Sequence, residues 1–97
     1  MALTVNFFDV YGKKHVATIN VSDFTQLRPI DVIQIIRDKG YTAKPTGGTG
    51  TTIWKMGKPN GGGNYIDELS LDSNGIQNND IVLLREWDVI NSPCVVV

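Results

Sequence analysis

The sequence predicts an α+β fold in which a mixed sheet of roughly four to five strands wraps over one helix. Three observations carry this expectation. Two runs near the N-terminus alternate apolar and polar residues on either side of a glycine-containing bend, the period of strands with one buried face. Residues 29–40 change to the spacing of an amphipathic helix, with Pro29 at the start and Gly40 at the end. A continuous apolar run, Ile81-Val82-Leu83-Leu84, then closes the pattern.

In the first run Leu3, Val5 and Phe7 share one face, and Thr4, Asn6 and Phe8 share the other. After Tyr11-Gly12-Lys13 the alternation resumes, with Ala17, Ile19 and Val21 opposite Val16, Thr18 and Asn20, so the two runs form a hairpin. In the helix, Asp31 lies near the positive end of the dipole, Lys39 near the negative end, and Gly40 can take the left-handed stop. Val32, Ile33 and Ile36 would face the sheet. Residues 45–63 hold seven of the ten glycines, interrupted by Thr51-Thr52-Ile53-Trp54-Lys55-Met56. That run reads as a third strand between two loops, since Thr, Ile and Trp favour a pleated surface. The last strand, residues 81–87, would lie centrally and parallel to the first.

Composition bounds the function. With 97 residues and 41% hydrophobic content the chain supports one small core. Residues 1–90 form the expected domain, and 91–97 a flexible C-terminal tail containing Pro93. A net charge of −1 with nine scattered basic residues supplies no field for a run of phosphates, which disfavours nucleic acid. The single cysteine excludes a disulfide framework within the chain and any paired-cysteine zinc or redox site. The N-terminus reads as a strand and not as a signal peptide, and no apolar stretch approaches the ~20 residues that span a bilayer. A cytoplasmic protein is expected.

Several short blocks resemble, in order, those of ubiquitin-like β-grasp proteins. Tyr11-Gly12-Lys13 resembles the family's Thr-Gly-Lys turn, and Ile36-Arg37-Asp38-Lys39-Gly40 its helix end. Trp54-Lys55-Met56-Gly57-Lys58 resembles the strand ending in Ala-Gly-Lys, and Leu71-Asp72-Ser73-Asn74-Gly75-Ile76-Gln77 the block Leu-Ser-Asp-Tyr-Asn-Ile-Gln. The resemblance spans residues 3–87 and implies a domain that binds or tags partners and does not catalyse. It implies an inward set of Leu3, Val5, Phe7, Ala17, Ile19, Val32, Ile36, Ile53, Leu71, Ile76, Ile81 and Leu83. It also implies an outward partner-binding patch of Val10, Trp54, Val82 and Leu84, where the family carries its hydrophobic recognition surface. The alternative is that the last strand is buried on both faces.

The end of the chain departs from the family. Conjugated members finish in Gly-Gly, whereas no glycine follows Gly75 here. Conjugation would need trimming by a peptidase or an activating enzyme that accepts another end. Cys94-Val95-Val96-Val97 fits the Cys-aliphatic-aliphatic-X form of a prenylation box. The same residues also suit a processed or thiol-active tail, with Cys94 and Val97 as the positions of processing, linkage or lipidation, or an incidental cysteine. No membrane association is expected unless Cys94 is lipidated.

No catalytic residues, metal ligands or cofactors are expected. His15 is the only histidine and has no second His or Cys with which to build a metal site or a nucleophile–base pair. Asp67-Glu68 reads as a solvated turn. Gly47-Gly48-Thr49-Gly50 lacks the Gly-Lys-Ser/Thr ending of a phosphate loop and precedes a strand where such loops open a helix. The leading expectation is a small ubiquitin-like modifier or carrier of a bacterial conjugation-like pathway, with activating and conjugating enzymes and a peptidase as partners. The second is a non-conjugated adaptor subunit, such as the small ubiquitin-like proteins of secretion machineries.

Overall fold

The computed structural model describes residues 1–45 and 51–89. Five elements follow in order: β1 (Ala2–Phe8), β2 (Lys14–Asn20), α1 (Pro29–Asp38), β3 (Thr51–Gly57) and β4 (Ile81–Val89). The expected tail, with Cys94 and Val97, and the cluster Gly47–Gly50 lie outside the described residues.

The strands form one sheet in the order β2-β1-β4-β3. β1 pairs antiparallel with β2 and parallel with β4, while β3 pairs antiparallel with β4. The closing strand is therefore central and parallel to the first, as expected. A parallel pair needs a crossover between its members, and β2, α1 and β3 supply it, with the helix covering one face of the sheet.

Local chemistry sets each boundary. The β1–β2 hairpin closes over Val10-Tyr11-Gly12, where the Asp9 carboxylate accepts the Tyr11 N–H at 2.8 Å and the Lys13 N–H at 3.0 Å. Gly12 sits at φ +80°, the left-handed position that ends a three-residue hairpin loop. At the helix start the Arg28 N–H donates to Asp31 Oδ2 at 2.9 Å, and Pro29 occupies the first turn, where its missing N–H costs nothing. Gly40, at φ +96°, ends it.

The connection into β4 is pinned to the rest of the fold. Leu71 N–H donates to Leu27 C=O at 2.7 Å and Asp72 N–H to Phe24 C=O at 3.0 Å. The Asn74 side chain accepts the Ile66 N–H and donates to the carbonyls of Ile66, Leu69 and Ser70. These bonds seat Leu71 and Ile76 in the core. Asp67, expected in a solvated turn, is half-buried and paired with the Lys55 ammonium, whereas Glu68 is exposed.

The core gathers Leu3, Val5 and Phe7 of β1, Ile19 of β2, Val32, Ile33 and Ile36 of α1, Trp54 and Met56 of β3, and Val82 and Leu84 of β4. This corrects the expected facing of the last two strands. Ile81 is exposed, and Ile53 and Leu83 are only partly covered, while Trp54, Val82 and Leu84 point inward. Register is the physical reason. Val5↔Val82 in the parallel pair carries the inward phase of β1 onto β4, and Met56↔Leu84 carries it onto β3. A one-residue change of phase exchanges the two faces of a strand.

Candidate functional site

The four residues expected to form an outward patch are not brought together at the surface. Val10 is exposed in the hairpin loop, but Trp54 is 2% exposed, Val82 0% and Leu84 3%. Trp54 packs edge-on against Phe7, with ring centroids 5.5 Å apart. These three are core residues.

Because that phase turns Trp54, Val82 and Leu84 inward, it turns their neighbours outward. The open face of the sheet carries Phe8 from β1, Val16 from β2, Ile53 from β3, and Ile81, Leu83, Trp87 and Val89 from β4. All are exposed or half-exposed, and Ile81 and Trp87 each show 49% of their surface to solvent. Lys14, Lys55 and Arg85 are interspersed among them, Lys55 paired with the Asp67 carboxylate, and among the described residues no outward strand position itself carries a carboxylate. A groove of about 220 Å³ runs between the end of β1 and the middle of β4, lined by Asn6, Phe7, Phe8 and Lys14 on one side and by Leu83, Leu84, Arg85 and the carboxylate-bearing Glu86 on the other. The alternation in β1 and β2 had already placed Phe8 and Val16 outside. The unbroken apolar run of β4 carries no phase of its own.

A second cluster lies at the end of the hairpin. His15 Nε2 is 2.7 Å from Asp9 Oδ2, and the imidazole stacks on Phe7 at 5.1 Å and leans on Tyr41 at 4.7 Å. The His15 hydrogen bond, with the N–H groups of Lys13 and Tyr11, holds the Asp9 carboxyl below the usual carboxylate range. The pair pins the turn to β2. Among the described residues no group of three His, Cys, Asp or Glu side chains is placed to hold a metal ion.

Among the described residues two antiparallel strand pairs of a mixed sheet, a central parallel pair of first and last strands, and one covering helix are now defined. The fold is a ubiquitin-like β-grasp. Among solved structures, this ubiquitin-like domain is similar to the EccD5 ubiquitin-like domain from Mycobacterium xenopi, at 17% identity over 93% of this chain and 99% of that one, with a TM-score of 0.46. It is also similar to a chain of the MycP5-free ESX-5 inner membrane complex, at 15% identity and a TM-score of 0.49. There the match covers 94% of this chain but 22% of the other, so the domain spans about a fifth of that chain's length. No protein-family model and no curated protein matches the sequence. Among the described residues no helix is long and apolar enough to cross a membrane.

Proposed function

We propose that this ubiquitin-like domain is a non-conjugated interaction module, an adaptor that docks a cytoplasmic protein partner on the open face of its sheet. The observation that carries this reading is the row Ile81, Leu83, Trp87 and Val89, exposed or half-exposed along β4 and bordered by Phe8 and Val16. Exposed clusters of large apolar side chains usually mark interaction surfaces, and a central aromatic is the kind of residue on which binding energy concentrates. A subunit of a secretion machinery is one adaptor of this kind.

The test is affinity capture from the native cells followed by mass spectrometry. Ile81→Ser and Trp87→Ser should each lose the captured protein. Ile66→Ser, which changes an exposed apolar residue in the loop before β4, should retain it. Chain recovered from the same cells should carry no second protein in covalent linkage. An isopeptide adduct would restore the modifier reading, and capture unchanged by both sheet-face variants would remove the open face as the docking surface.

A further inference from the structure

Among the described residues no strand pairs with the outer edge of β2, and the hydrogen bonds of the hairpin show which groups it presents. Val21 N–H donates to Met1 C=O at 2.8 Å and Asp9 N–H to Lys13 C=O at 2.9 Å. Both contacts continue the β1–β2 register that pairs Ala2 with Asn20 and Phe8 with Lys14. In an antiparallel ladder, alternate residues turn both backbone groups toward the same neighbour. The odd-numbered residues of β2 therefore face β1, and Lys14, Val16, Thr18 and Asn20 direct their N–H and C=O groups outward. All four are exposed, Val16 by 65%, and no turn or loop backbone among the described residues bonds to them.

Such an edge is a template for another strand unless something blunts it. Proline, a bulge or an inward charge would do so, and β2 has none. Its register is unbroken over seven pairs, and its one side chain of fixed charge, Lys14, stands at the end.

We propose that this edge pairs with the same edge of a second copy of the chain, antiparallel and centred on Ala17, joining two four-stranded sheets into one. The strand is complementary to itself in that register. Val16 lies opposite Thr18 of the partner copy, and Lys14 lies opposite Asn20 of the partner copy, so β-favouring side chains face each other and no like charges meet. The four outward residues on each strand form four facing pairs, roughly eight backbone hydrogen bonds in an antiparallel ladder. Slipping the pair toward Lys14 shortens the overlap and brings the two lysines together, which disfavours the competing registers. Strand pairing alone buries less than the ~1,200–2,000 Å² of a standard stable interface, so the association is weak and depends on concentration.

Sedimentation velocity on the full chain from about 10 µM to about 1 mM tests this, because it covers the weak-affinity range. The expected result is a monomer that converts to a dimer as concentration rises. Thr18→Pro removes an outward N–H and spares the β1 ladder, so it should abolish the dimer while leaving the circular dichroism spectrum unchanged. Should that variant fail to fold, two exposed double variants carry the test. Val16→Lys with Thr18→Lys sets like charges opposite each other, as does Val16→Glu with Thr18→Glu. Each should be monomeric alone, and an equimolar mixture should dimerise. A wild-type chain that stays monomeric throughout would overturn the proposal, as would a dimer that all these variants leave undiminished.

Discussion

Replacing Trp54 by alanine separates a core residue from a docking residue by magnitude. The indole is 2% exposed and lies edge-on to Phe7 at 5.5 Å. Truncating a buried aromatic costs about 3–5 kcal/mol, combining the lost transfer energy with the cavity left behind. One term opposes this. Among the described residues the buried Trp54 Nε1 has no hydrogen-bond partner, and an unmade bond of this kind costs the folded state about 1–3 kcal/mol, which the truncation relieves. Taking the middle of each range, the net loss is about 2 kcal/mol, a large part of the ~5–15 kcal/mol that holds a domain of this size together. Urea unfolding followed by far-ultraviolet circular dichroism reads it directly. With a slope of about 1.5 kcal/mol per M, the midpoint should fall by about 1.3 M. Trp87→Ala provides the contrast, since an exposed truncation should change stability by about 0.5–1 kcal/mol. A Trp54→Ala loss below about 1 kcal/mol, or one equal to that of Trp87→Ala, would refute the inward assignment of β3 and with it the register argument.

The Asp9–His15 pair predicts an acid dependence. The folded-state pKa of Asp9 is depressed below 3.8, so its stabilisation is fully present above that value and is lost as pH falls through the lower folded-state pKa. Asp9→Asn, which keeps an oxygen for the Tyr11 and Lys13 N–H groups, should therefore melt below wild type at neutral pH. The gap in Tm should close below pH 3.8, and a gap constant across pH would show that the carboxylate charge plays no part. Gly75 sits at φ +80° with open space where a Cβ would stand, so Gly75→Ala should cost about 1–2 kcal/mol through backbone strain alone. Gly75→Asn should lose less, and equal losses measured by chemical denaturation would point to lost packing instead.

The order of elements was legible in the sequence because each is marked by local chemistry. Alternation defined β1 and β2, the Pro29 start and Gly40 stop bounded the helix, and the Thr-Thr-Ile-Trp run between glycine clusters marked β3. The inward face of β1 followed as well, since Leu3, Val5 and Phe7 alternate with less apolar neighbours. Ile81-Val82-Leu83-Leu84 is apolar at every position, so period-two reasoning has nothing from which to choose a face, and Trp54 stands beside Ile53 with the same ambiguity. Only the tertiary structure resolved this, because the phase of β4 is inherited through Val5↔Val82 and that of β3 through Met56↔Leu84. The exposed apolar row is a property of strand register, set by residues that are distant in the chain and adjacent in the sheet.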